Sequence, residues 1–272
     1  MPSAWPRRET RVHRGATADT IGAMTTLHHQ IQGSGPTVLL LHAGVADLRM
    51  WDVQVDELVP GHRVVRCDLR GYGHTPLEPG ASYADAGDVL ALLDELAVDR
   101  FALVAASYGG WVALQVATAA PERVERLVLL DPLAEVAEPD ERLREFWREE
   151  GALVDAGDLD AATELNVATW LGPDASDDAR DLVRRMQRGV FQHQADAGDV
   201  EGAELPVELD RLTMPVTVAV GAQDLPFFVD TARELVRLLP SAELVELPWA
   251  GHLPSLERPL ETAHLVRASL LD

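Results

Sequence analysis

Three residues far apart in the chain have side chains that could together activate a nucleophile: Ser107, Asp224 and His252. A serine hydroxyl is a weak nucleophile until a base takes its proton, and the base needs an acid to orient it. Ser107 lies in Ala105-Ala106-Ser107-Tyr108-Gly109, between an apolar run and a helical one. A sharp strand-to-helix turn would expose its hydroxyl, and small residues two places before and after let strand and helix pack closely. Ala105 and Gly109 fill those places. Taken alone, the segment also reads as a turn serine or a helix cap. The order of the other two adds weight. Asp224 follows the apolar run 216–220, and His252 follows the run 244–247. Serine, aspartate and histidine thus come in the order this chemistry uses when each ends a strand of one sheet. Such a site also needs backbone N–H groups to meet the charge that develops on a carbonyl oxygen. Tyr108, directly after the serine, would give one. The loop His42-Ala43-Gly44 would give the other.

The elements that must hold these residues alternate. Segments 37–42, 63–68, 101–106, 124–130, 216–220 and 244–247 read as short buried strands. Segments 50–59, 83–96, 111–120 and 229–239, and the stretch from 259, read as helices. Strands alternating with helices imply a mostly parallel, doubly wound α/β sheet covered on both faces, with ligands at the carboxyl ends of its strands. Segment 133–212 has no convincing strand. Helical spacing at Leu143, Phe146, Trp147, Leu153 and Val154, across 161–171, and at Leu182, Val183, Met186, Val190 and Phe191 makes it a helical insertion between two strands. Segments 172–176 and 197–202 read as loops. Residues 1–23 read as a disordered extension, leaving 24–132 and 213–272 as the core and 133–212 as the insertion.

The chain resembles the α/β-hydrolase fold superfamily. The matching pieces are Leu41-His42-Ala43-Gly44, the turn 68–75, Ala105 to Gly110, Val220 to Asp224, and the stretch Gly251 to Pro259. The resemblance implies Ser107 as nucleophile, His252 as base, Asp224 as its orienter, and the N–H groups of Gly44 and Tyr108 as the oxyanion hole. It makes 133–212 a helical cap over the site. It treats 68–75 as a structural turn. It also keeps Asp131 open as an alternative acid, because some relatives place theirs after that strand. Ala43 and Ala105 stand where many relatives have glycine. Trp249 is expected to bring a large ring close to His252.

Composition narrows the chemistry. The net charge is −22 over 272 residues, and all 23 basic residues are arginine. An acidic surface repels nucleic acid. A chain without lysine has neither a P-loop lysine nor a Schiff-base lysine. The single cysteine, Cys67, reads as a small buried hydrophobe. The histidines lack zinc-site spacing, and the pairs Gly33/Gly35 and Gly71/Gly73 read as turns rather than dinucleotide loops. No apolar run reaches the roughly 18 residues of a membrane span. The expectation is a cytoplasmic monomer or homodimer, with no metal, no cofactor, no nucleic-acid or membrane partner, and a small-molecule substrate. It is a serine hydrolase cleaving an ester, lactone or thioester, with Trp51, Phe146, Trp147, Trp170 and Phe191 as candidates for the pocket wall. The alternatives are carbon–carbon bond hydrolysis, perhydrolysis or lyase chemistry on the same site, or a small-molecule receptor with a vestigial triad.

Overall fold

The computed structural model describes residues 27–80, 82–198 and 200–271. The extension expected at 1–23 lies outside them. Four continuously apolar or nearly apolar segments build the centre of the molecule: β2 (Thr37–Leu41), β5 (Phe101–Ala106), β6 (Val124–Leu130) and β8 (Val216–Gly221). Strands buried on both faces need such runs, since water reaches neither side. With β1 (His29–Gly33), β3 (Arg63–Cys67) and β9 (Ala242–Leu247) they form one seven-stranded sheet, ordered β1-β3-β2-β5-β6-β8-β9. Every pairing is parallel except that of β1 with β3. The mostly parallel, helix-flanked sheet is the one the alternation implies.

Helices α1 (Asp52–Leu58), α2 (Asp85–Glu95), α3 (Tyr108–Ala119), α7 (Pro226–Leu238), α8 (Pro254–Glu257) and α9 (Pro259–Leu271) cover the sheet. Trp51, Leu93, Phe101 and Phe228 are among the large side chains buried between the layers. Cys67 is buried too, and burial pushes its thiol well up. It therefore packs as an inert hydrophobe.

Between β6 and β8 the chain leaves the sheet for three helices, α4 (Glu141–Asp155), α5 (Leu159–Trp170) and α6 (Asp177–Ala197). Each starts on a side chain that accepts a backbone N–H three residues on: Asp140 from Leu143, Asp158 from Ala161, Ser176 from Ala179. Such caps satisfy donors that the first turn leaves open. The helices pack through Leu143, Phe146, Val167, Trp170, Val183 and Met186.

Several boundaries differ from the sequence reading. β1 carries one apolar residue, Ile31, in HQIQG, and its residues are mostly exposed, so no apolar pattern marks it. It joins an edge where only one neighbour is needed. A 3-10 turn, Leu48–Trp51, precedes α1 and takes part of the expected first helix. Tyr83 is not in α2 but in a two-residue strand, β4 (Ser82–Tyr83), which pairs with β7 (Glu201–Gly202). The expected loop 197–202 therefore holds a strand, and segment 133–212 is not free of strand. Two residues carry too little periodicity to be read.

Candidate active site

Ser107 ends β5 and opens α3. Its backbone sits at φ 51°, ψ −116°, a conformation that costs a side-chain-bearing residue of order 1–3 kcal/mol. Neighbouring bonds hold it there. Its N–H donates to Leu130 O at 3.0 Å, and its carbonyl accepts from Gly110 N at 2.8 Å and Leu133 N at 3.0 Å. Gly109 makes the turn possible. A Cβ on it would lie 2.5 Å from His42 O and 2.7 Å from Leu41 O, both backbone atoms. Ala105, in contrast, lies within β5 opposite Leu41 and Leu129, where the backbone is extended and a methyl is tolerated.

Asp224 comes from the turn after β8, and His252 from the loop after β9. The two loops touch so closely that a Cβ on Gly221 would fall 1.9 Å from Gly251 O. His252 Nε2 lies 2.8 Å from Ser107 Oγ, and its Nδ1 lies 2.7 Å from Asp224 Oδ2. A carboxylate can only accept, so Nδ1 carries the hydrogen and Nε2 is left to accept from the serine hydroxyl. Asp224 Oδ1 accepts from Leu225 N at 2.6 Å. Ser107 and His252 are each 2 % exposed, so the line is closed to bulk water. Asp131 ends β6 nearby, but its Oδ1 accepts from Gly221 N at 2.7 Å and it is Asp224 that meets the imidazole.

Gly44 and Tyr108 are adjacent: a Cβ on Gly44 would lie 3.3 Å from the Tyr108 Cβ. Tyr108 is the first residue of α3, so its N–H has no acceptor within the helix. The Ala43 N–H is taken by Met50 Sδ at 3.2 Å. The loop is braced by His42. Its Nε2 accepts from Leu69 N at 3.0 Å, which puts the ring hydrogen on Nδ1, facing Ala43 O at 2.9 Å. Burial lowers the pKa of this imidazole, and it serves as a neutral clamp between two loops. Asp68 does similar work, its carboxylate accepting from Leu48 N and His74 N.

A family model describing the α/β-hydrolase fold matches residues 36–259. The chain belongs to the α/β-hydrolase fold family. It is similar to the 3-oxoadipate enol-lactonase 2 of Acinetobacter baylyi, 26% identical over 244 residues that span 87% of this chain and 89% of that protein. It is also similar to the pimeloyl-[acyl-carrier protein] methyl ester esterase of Nitrosomonas europaea, 28% identical over 254 residues, 87% of this chain and 96% of the other. Among solved structures, the enol-lactonase from Burkholderia xenovorans LB400 superposes with a TM-score of 0.75 at 27% identity, covering 90% of this chain and 96% of that one. Hydrolases of this fold are thus its relatives.

Within this α/β-hydrolase site, several contributors carry no signal of their own in the sequence. Glu257 accepts from Gly251 N at 2.9 Å and from Leu253 N at 3.2 Å, gripping the loop on both sides of His252. Phe228 of α7 lies 4.2 Å from the imidazole, and Trp170 of α5 lies 4.7 Å from it, centroid to centroid. These are the rings beside His252. Trp249, expected there, instead stacks under Arg258 at 4.9 Å. Of the pocket candidates, Trp170 reaches the site and Phe146 backs it at 4.7 Å, whereas Trp51 belongs to the sheet core. Tyr108 donates its hydroxyl to Asp85 Oδ2 at 2.6 Å, and Asp85 stands near a buried Arg70–Asp88 ion pair. Among the described residues, one group could present metal-ligand distances: Asp131, Asp224 and His252. Both nitrogens of that histidine are already engaged, by Ser107 and Asp224, which leaves none for a cation.

Proposed function

We propose that this protein is a cofactor-free serine hydrolase that cleaves an ester or lactone of a small organic molecule. The observation that carries the proposal is the buried hydrogen-bonded line from Ser107 Oγ to His252 at 2.8 Å and on to Asp224 at 2.7 Å, with the serine held on a strained turn. The kinship with an enol-lactonase and a methyl ester esterase supports the substrate class.

The chemistry follows from the hydrogen positions. His252 Nε2 takes the hydroxyl proton as Ser107 Oγ attacks the carbonyl carbon. The carbonyl oxygen becomes negative and meets the N–H groups of Gly44 and Tyr108. Collapse of the intermediate breaks the bond to the alkoxide, which takes the proton back from His252. A lactone keeps that alkoxide tethered to the acyl group; an ester loses it. Water then attacks the acyl-enzyme with His252 again as base, and the acid is released. Asp224 keeps the imidazole in the tautomer that every step needs. Helices α4 to α6 serve as a cap, in which Trp170 and Phe146 form an apolar wall beside His252.

The test is hydrolysis of p-nitrophenyl esters from acetate to decanoate, with Ser107→Ala in parallel. The expected result is a chain-length optimum and a loss of at least about 10⁴-fold in the variant. A folded wild-type protein that turns over no ester or lactone and is not labelled at Ser107 by a fluorophosphonate would overturn the proposal.

A further inference from the structure

Asp131 is a second buried carboxyl beside the reacting line, and no step above uses it. It is fully buried at the end of β6, in a positive-φ conformation (φ 45°) that its surroundings must enforce. Its N–H donates to Ala219 O at 2.8 Å, and its Oδ1 accepts from Gly221 N at 2.7 Å. Among the described residues no donor faces its Oδ2. Oxygen atoms of Asp131 and Asp224 and a nitrogen of His252 all lie within 4.8 Å of one another. Two ionised carboxylates at that range repel, and neither can donate to the other. One proton resolves both problems. Asp224 has a donor on each oxygen, Leu225 N–H and His252 Nδ1–H, whereas Asp131 has a donor on one. The charge therefore belongs on Asp224 and the proton on Asp131.

We propose that Asp131 is a positioning residue of this site: it stays protonated and donates a hydrogen bond to the Asp224 carboxylate, fixing the acid that orients His252. This rests on the serine-hydrolase reading above. The groups around it agree. Burial first, and then the Asp224 charge, raise the Asp131 carboxyl well above the usual carboxylate range; the Glu257 charge acts in the same direction, against the Gly221 N–H. His252, facing Asp224 from the β9 side, completes the set of titratable neighbours.

Two readouts test this on the full chain. The first needs no turnover: difference infrared spectra at neutral pH should show a protonated-carboxyl band in wild type that Asp131→Asn lacks. Absence of that band overturns the proposal. The second is the rate of fluorophosphonate labelling at Ser107 against pH. Asn keeps an acceptor for Gly221 N–H and a donor toward Asp224, so Asp131→Asn should label within about threefold of wild type with an unmoved acid limb. Asp131→Ala, checked for fold by circular dichroism, should label about tenfold more slowly, because a hydrogen bond to a charged group is lost. A wild-type rate in Asp131→Ala overturns the proposal. So does an acid limb that moves to lower pH in Asp131→Asn, since that would mean a negative charge had been removed beside the imidazole. Failure of wild type to label at all would sink the serine-hydrolase reading instead, and the infrared band would still decide the protonation of the pair.

Discussion

The floor and the roof of the site are built on different principles. The floor is the set of loops at the carboxyl ends of β5, β8 and β9. There backbone meets backbone: Gly109 lies against the carbonyls of Leu41 and His42, and Gly221 against Gly251. Single positions admit no side chain, and a strained serine is held by four backbone hydrogen bonds. The roof is α4 to α6. There side chain meets side chain: Phe146, Trp170, Val183 and Met186 fill the space between capped helices, and Trp170 reaches down to His252. A floor of this kind fixes the distances between Ser107, His252 and Asp224. A roof of this kind fixes shape, and can be reshaped without moving those atoms. The difference teaches where chemistry and selectivity can change independently.

One way to break the comparison is Gly109→Ala, which should change both stability and Ser107 reactivity. Its methyl would meet two backbone carbonyls that cannot swing aside. The expected cost is about 3 kcal/mol of stability. Because those carbonyls belong to the strand and loop that lead to Gly44, Ser107 labelling should also slow by about 10²-fold. Guanidinium melts and labelling rates measure both. A wild-type midpoint with a wild-type rate would show that the floor is not set by backbone contact.

Trp170 tests the roof. It is fully buried, with its ring N–H donated to Asn166 Oδ1 at 2.9 Å, and Asn166 is held in turn by Glu150. Truncation to Ala should cost about 3–5 kcal/mol. Trp170→Phe keeps a ring beside His252 and should cost about half as much. The sharper expectation concerns function. In Trp170→Phe the optimum across the p-nitrophenyl ester series should shift, while Ser107 labelling stays within a few-fold of wild type. If labelling collapses with the optimum unchanged, Trp170 acts on the base and not on the substrate, and the division between floor and roof fails.

The same division explains what could be read in advance. Backbone requirements leave residue types behind: a glycine at 109, a serine between strand and helix, an aspartate and a histidine each after an apolar run. Those were legible, together with the alternation that makes the sheet. Roof contacts leave only amphipathic spacing, which gave three helices but could not say that Trp170, and not the sequence neighbour Trp249, would lie on His252. Trp249 turns away because the loop places it under Arg258. Glu257 was hidden for a related reason. Its task is to accept the N–H groups of Gly251 and Leu253, and any acid on that short helix reads simply as surface charge. β1 escaped because an exposed edge strand needs no apolar pattern, and β4 with β7 because two residues have no period.

An effect confined to stability lies at the seam between floor and roof. Tyr83 in β4 pairs with the chain that returns from α6, and Asp85, two residues on, accepts the hydroxyl of Tyr108. Burial pushes Asp85 up to about 6, with the neighbouring Asp88 charge adding and the Tyr108 and Arg70 hydrogen bonds opposing. A carboxyl whose pKa is higher folded than unfolded binds its proton more tightly in the native state. Its stabilising contribution is therefore complete below about pH 4 and is lost as pH rises through about 6. The shift corresponds to about 3 kcal/mol at most. Asp85→Asn keeps an acceptor for Tyr108 and removes the titration. Other carboxyls, Glu204 and the buried Glu150 among them, are also raised and contribute slopes of their own. The measurement is thus a difference: unfolding free energy of Asp85→Asn minus wild type, against pH, from denaturant melts. That difference should rise in favour of the variant between about pH 4 and pH 6 and then level off. A flat difference would mean that Asp85 is not strained by its burial. The seam would then couple the helical insertion to the residue after Ser107 through the Tyr108 hydroxyl alone, without an electrostatic cost.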